Sequence, residues 1–230
     1  MQIRPRHLNQ LVSGLFAVGS ACFVLGSVPG YASAVGSAGD AITYFVGSLF
    51  FTGASAAQLV QAQTPGATDV DAATERVPVT VVWLARRFGD MFWWASALQF
   101  PGTLFFNVTT LVATAHALTP QQMQSHVWRP DFVGSVLFLL SSGVAMMAIR
   151  RDHIPHRLRS WGWWIAGLNL LGSIAFMVSA IAARLVPGTT EMVNPTVADS
   201  GTLVGALCFL VGALLMLPAW QSALSSNVTA

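Results

Sequence analysis

The chain has no lysine, only two cysteines and two tyrosines, and few charges of either sign. Charged residues make up 9% of its 230 positions, against 54% hydrophobic ones. A soluble domain carries about 25% charged residues, so this composition cannot coat a water-facing surface. That excludes a soluble enzyme. It also excludes a disordered segment, whose mark is low hydrophobicity with high net charge. The eleven basic residues are all arginine and leave a net charge of only +2. No basic tract is long enough for nucleic acid. Missing too are a glycine-rich phosphate loop and any Ser/His/Asp or Cys/His set for hydrolysis. Cys22 and Cys208 fall in apolar stretches, where the thiol behaves as a small hydrophobe, so no disulfide is expected. His153 and His156 flank Pro155 among arginines, which reads as a charged turn rather than a metal site. No histidines face each other for haem, and no cofactor is expected.

What is present is long apolar runs; the mean hydropathy is +0.61. Asp, Glu and Arg are missing from windows 7–39, 41–68, 91–128, 132–149, 160–183 and 200–230. A transmembrane helix needs about 20 mostly apolar residues, and each window holds one. The expected spans are 9–28, 41–62, 91–116, 132–149, 162–183 and 202–219. The long third window is read as one helix, because Pro120, Gln121, Gln122 and Gln124 break its second half. The whole chain is then a single all-α membrane domain, 1–230, with one long extramembrane loop at 63–90. In that loop, residues 79–88 are apolar then basic and are expected to lie along the membrane surface, with Trp83 dipping in.

Orientation follows arginine counts. Arg4, Arg6, Arg76, Arg86, Arg87, Arg150, Arg151, Arg157 and Arg159 fall on one side, and Arg129 and Arg184 on the other. Both termini are therefore expected in the cytoplasm, in a cell inner membrane. Residues 1–34 also carry the marks of a secretory signal, ending in Ala32-Ser33-Ala34. The first span nevertheless shares the internal pattern of the other five, which argues that it stays.

That pattern is Gly, a small residue, two variable residues, then Phe. It occurs at Gly19-Ser20-Ala21-Cys22-Phe23, Gly47-Ser48-Leu49-Phe50-Phe51 and Gly102-Thr103-Leu104-Phe105-Phe106. It recurs at Gly134-Ser135-Val136-Leu137-Phe138, Gly172-Ser173-Ile174-Ala175-Phe176 and Gly205-Ala206-Leu207-Cys208-Phe209. One copy in each of six spans is a repeat signal. Positions i, i+4 and i+7 share a helix face. In lipid, helices associate by close backbone approach over small residues, so the glycines are expected as notches and each Phe as a knob. Phe92-Trp93-Trp94-Ala95-Ser96-Ala97-Leu98-Gln99 also matches Gly162-Trp163-Trp164-Ile165-Ala166-Gly167-Leu168-Asn169. The simplest unit is a helical hairpin used three times, at 9–62, 91–149 and 162–219, around an axis along the membrane normal.

Two-helix units with a Gly-Ser-x-x-Phe core, as in Asp131-Phe132-Val133-Gly134-Ser135-Val136-Leu137-Phe138, resemble the YrhK-like domain of bacterial membrane proteins. The resemblance covers the hairpins. It implies a multi-pass inner-membrane protein and supplies no catalytic residues.

No Asp, Glu or Arg lies inside an expected span, which argues against a proton pump or voltage sensor. The polar candidates inside the membrane are Gln58, Gln99, Asn107, Asn169 and His116. They read either as interhelical hydrogen bonds or as the lining of a central cavity. Gln99 and Asn169 are equivalent positions that a symmetry axis would bring together. Arg150, Arg151, Arg157 and Arg159 read as contacts to anionic lipid headgroups. The expected function is a non-enzymatic accessory or scaffold subunit, as a homo-oligomer or within a larger membrane complex. The alternative is a facilitator-type transporter or channel for a neutral or amphipathic solute. A continuous polar central cavity lined by Gln99 and Asn169 would favour the alternative, and dry Phe-into-Gly packing through the whole core would oppose it.

Overall fold

The computed structural model describes residues 1–68, 77–115, 117–151 and 160–228, the last six and Arg151 by backbone alone. His116, His153, His156, Arg157 and Arg159 lie outside the described residues. The chain is mostly helical. Helix α1 runs Pro5–Ser27, α2 Tyr31–Gln63 and α3 Met91–Ala113. Helix α4 starts as Pro120–Gln122, widens to π geometry over Met123–Trp128 and continues as Arg129–Arg151. Helices α5 and α6 are Trp161–Ala182 and Pro195–Val228. Two short strands, β1 (Gln2–Ile3) and β2 (Val79–Thr80), pair antiparallel.

Helix ends follow local chemistry. Asp90 caps α3 by accepting from the Phe92 and Trp93 amides. Ser160 does the same for α5 through the Trp163 amide. Gly30, at φ 91°, turns the chain between α1 and α2, and Gly36, at φ 78°, kinks the start of α2. These are left-handed values that cost glycine little.

Three helices are longer at the arginine-poor end than expected. Helix α2 begins at Tyr31 rather than 41, α4 at Pro120 rather than 132, and α6 at Pro195 rather than 202. In α4 the cause is plain. Pro120 opens the helix instead of ending it, since the first turn needs no amide there. Thr119 and Gln122 form a reciprocal capping box. As a consequence, Asp40, Asp131 and Asp199 lie within helices, not in the loops beside them.

Five helices, α1, α2, α4, α5 and α6, are long and apolar enough to cross a membrane. Helix α3 has the length, but Gln99, Pro101, Asn107 and three threonines dilute its apolarity. It packs between α2 and α4 all the same. Each helix packs on the next in sequence, and α6 returns to α1, closing a ring. The tightest pairs are α1–α2, α3–α4 and α5–α6.

Within each pair the helices cross at the motif glycines. A Cβ on Gly19 would stand 3.0 Å from the Gly47 carbonyl oxygen, and one on Gly47 would stand 3.1 Å from that of Gly19. A Cβ on Gly134 would lie 3.1 Å from the Gly102 carbonyl oxygen, and one on Gly172 3.0 Å from that of Gly205. The Phe of each helix then lies over the glycine of its partner: Phe51 on Gly19, Phe23 on Gly47, Phe138 on Gly102, Phe106 on Gly134, Phe209 on Gly172 and Phe176 on Gly205.

The junctions between pairs use hydroxyls instead. Ser48 bonds Thr110 at 2.9 Å across α2–α3, and Ser142 bonds Ser173 at 2.6 Å across α4–α5. Ser13 donates to the Ala213 carbonyl at 2.8 Å across α1–α6. Such bonds are worth about 0.6 kcal/mol on average in a membrane, so they set register more than strength.

Candidate solute-binding cavities

The six motif phenylalanines meet on the ring axis. Phe51, Phe138 and Phe209 form one triangle, with ring centroids 5.7 to 6.4 Å apart. Phe176 lies 6.2 Å from Phe23 and 6.0 Å from Phe106, making a second layer. Each pair of helices joins the layers, through Phe23–Phe51, Phe106–Phe138 and Phe176–Phe209 at 5.0 to 5.4 Å. All six rings are buried. Mostly tilted or edge-on contacts of this kind contribute about 0.5–1.5 kcal/mol each beyond their area. The result is an apolar plug across the middle of the bundle.

A cavity opens on either side of the plug. The one toward the arginine-rich end has a volume of about 430 Å³ and is floored by Phe138 and Phe209. Gln58, Gln99 and Asn169 line it together, with Ser141 and Ser142. The same three amides reach a small side chamber of about 70 Å³ beside Phe16 and Gly212. The close approach at Gly212 makes this possible, since a Cβ there would stand 2.9 Å from Asn169 Oδ1.

Gln99 and Asn169 sit three residues before their motif glycines, and the third equivalent position holds Phe16. The polar layer is therefore two amides from the equivalent positions plus Gln58 from α2. Among the described residues, neither the Gln99 nor the Asn169 side chain makes a hydrogen bond, and Gln58 Oε1 is buried without a partner. Buried amides normally find partners. These three face cavity space instead of bonding helix to helix. Asn107 is different. It lines neither cavity, and its Oδ1 is also unpartnered.

The mouth of this cavity is closed on one side by the segment after β2, which is irregular and not helical. The Ala85 amide donates to Gln63 Oε1, the Val82 amide to Thr64 Oγ1, and Arg87 to the Ala62 carbonyl. Arg87 and Asp90 line the cavity and pair at 3.8 Å. Trp83, Leu84 and Phe88 point outward and are exposed. Arg150 is exposed at the end of α4.

The second cavity, toward the arginine-poor end, is larger at about 560 Å³. Phe23 lies at its floor, and Asp40, Asp131 and Asp199 line it. The sequence reading missed these three because it treated each charge as the edge of a span. Register held the signal. Asp131 stands three residues before Gly134, where the other even helices carry Tyr44 and Thr202. Both of those also line the cavity. Ser27 bonds Tyr44 at 2.9 Å, and Ser179 bonds Thr202 at 2.8 Å. Trp128, at the end of the π turn, donates to the Ala180 carbonyl at 2.8 Å and so fixes one wall.

Compared with known proteins, the chain matches no family model, no curated protein and no solved structure.

Proposed function

We propose that this is a multi-pass inner-membrane protein of six spans, with both termini cytoplasmic, acting as a facilitator for a small neutral or amphipathic solute and held closed by its phenylalanine plug. One observation carries the reading: three partnerless amides face a cavity that ends on a phenylalanine plug, with a second cavity on the far side. A solute needs polar groups left free by the protein's own packing, and Gln58, Gln99 and Asn169 are free. Helix α3, which is not among the five most clearly membrane-spanning helices, turns Gln99 into the cavity, which lets it span beside the others. The three helix pairs read as one hairpin used three times around the plug. The resemblance to the YrhK-like domain rests on the same motif, and the reading assigns no reaction to the chain.

Arginines sort the ends. The amide cavity opens on the cytoplasmic side by the positive-inside rule, and the aspartate cavity on the other. Arg150 and Arg151, with Arg157 and Arg159, would meet anionic headgroups on the cytoplasmic leaflet. A reporter fused at Ala230 should read cytoplasmic in both of two complementary assays, one active only inside and one only outside. A periplasmic signal would overturn the orientation and the even number of spans.

The accessory-subunit reading draws on small-residue faces open to partners. All six motif glycines are instead covered within the chain's own helix pairs. Among the described residues, the exposed Trp83, Leu84 and Phe88 beside Arg86 favour a partner, whether a second copy or a larger complex. An interfacial lipid layer would cover the same side chains.

The two functions separate in liposomes. With purified protein, stopped-flow light scattering should show entry of glycerol or an amphipathic amine faster than in empty vesicles. Replacing Gln99 and Asn169 together by leucine should cut that excess by about tenfold, the worth of one or two hydrogen bonds. No excess for any solute would remove the facilitator reading.

A further inference from the structure

We infer that the larger cavity is a binding site for an amphipathic organic cation, an ammonium group on an apolar body. The inference deepens the facilitator reading by naming the charge and shape of the solute, and it rests on that reading only for what happens after binding.

The site is more than a group of acids. Its walls are largely apolar, from Phe23, Val28, Ala113, Met123, Leu185 and Met192, and its volume of about 560 Å³ is that of a drug-sized pocket. Into this space come three carboxylates and, among the described residues, no Arg or His. Among the described residues, none of the three makes an ion pair, and Asp131 makes no hydrogen bond either. Asp40 Oδ1 is shielded from solvent with no partner at all.

Depth makes Asp131 the most telling. It precedes Phe138 by seven residues, roughly 10 Å along the helix. Half of a hydrocarbon core is about 15 Å, so its carboxylate lies at membrane depth, where it borders the cavity. A charge there is costly and is kept inside a bundle or a wet cavity. With no counter-charge paired to it among the described residues, a cation in the cavity is the missing partner.

The arrangement also tells which cation. Among the described residues, no three carboxylates, histidines or cysteines converge closely enough to hold a metal ion. Asp40 and Asp199 lie ten or eleven residues before Phe51 and Phe209, about 15 Å from the plug and so at the mouth. Asp131 waits deeper. Two acids at the entrance concentrate cations, and one at depth engages the head. Tyr44 and Trp128 stand on the walls, and aromatic rings suit alkylated ammonium groups. The apolar walls take the body.

Equilibrium dialysis of radiolabelled tetraethylammonium against the full chain in lipid nanodiscs, with empty nanodiscs subtracted, tests the site without needing transport. Saturable binding is expected, weakening as salt rises. D131N should weaken it by about tenfold or more, the loss of one charge-assisted contact. D131E keeps the charge and should retain most of the affinity, which separates loss of charge from loss of fold. Gly14→Ala, at an exposed position of α1 that lines neither cavity, should leave binding unchanged. No saturable binding to the wild-type chain, or equal binding by folded D131N, overturns the inference. If binding holds and no solute crosses liposomes, the site stands and the facilitator reading falls. If neutral solutes cross and tetraethylammonium does not bind, the reverse is true.

Discussion

Phe138→Ala is expected to turn a slow path into a fast one. Phe138 is 1% exposed and has rings on three sides: Phe106 at 5.0 Å, Phe209 at 5.7 Å and Phe51 at 6.4 Å. It also forms part of the floor of the amide cavity. Removing it takes away one corner of the triangle that separates the two cavities. An apolar constriction excludes water and polar solutes by leaving them no partner, which is how hydrophobic gates close pores. Widening it lowers that barrier, and about 1.4 kcal/mol suffices for a tenfold gain in rate. The flux measured in liposomes should therefore rise by at least that factor, while the protein loses about 3–5 kcal/mol of stability from the vacated ring. Phe16→Ala provides the control. Phe16 is as buried as its neighbours and borders the small side chamber near the amides. Its loss should destabilise to a similar degree without joining the cavities. A folded Phe138→Ala protein with wild-type flux would mean that the plug is not the barrier.

How far the sequence showed this site depends on what each residue's role rested on. The Gly and Phe positions were legible because packing in lipid is local and periodic: a notch and a knob four residues apart fall on one face wherever the helix goes. Gln99 and Asn169 were legible as equivalents because they share a register. Their meeting Gln58 in one cavity was not, since that depends on α2 lying beside α3 and on Gly212 letting Asn169 swing close. The aspartates were hidden by a sound rule applied one step too far. A charge usually ends a span in a bilayer, but a helix may run on past a charge that faces inward to a cavity. The capping pair Thr119 and Gln122 starts α4 before Asp131 is reached, and the π turn then shifts the helix phase just upstream of it. A hydropathy window sees neither. Asn107 shows the converse: an amide in an apolar helix looks the same in sequence whether it faces a cavity or not.

Glycine substitutions should divide sharply by position. At Gly205 a Cβ would overlap the Phe176 ring and stand 3.0 Å from the Gly172 carbonyl oxygen. Neither neighbour can move cheaply. The ring is held by Phe23, Phe106 and Phe209, and the carbonyl belongs to helix backbone. Four residues earlier on the same face, a Cβ on Gly201 would stand 2.9 Å from the Ala175 carbonyl oxygen. Helix α6 thus has no way to slide along α5 to relieve the strain. Gly205→Ala is expected to cost about 1–3 kcal/mol by overpacking, and Gly205→Leu to separate the pair altogether. At Gly14 the outcome has the opposite sign. It lies mid-helix in α1, exposed, with nothing within 4 Å of an added Cβ. Alanine there should stabilise by about 0.5–1 kcal/mol, because it lowers the backbone entropy lost in forming the helix. Thermal melts of both variants in one detergent check the contrast directly. Equal melting temperatures for Gly205→Ala and Gly14→Ala would show that helix propensity, and not the close crossing of α5 and α6, sets the effect. Because the same crossing seats Phe176 and Phe209 in the plug, a destabilised Gly205→Ala protein should also leak solute at temperatures well below its melt.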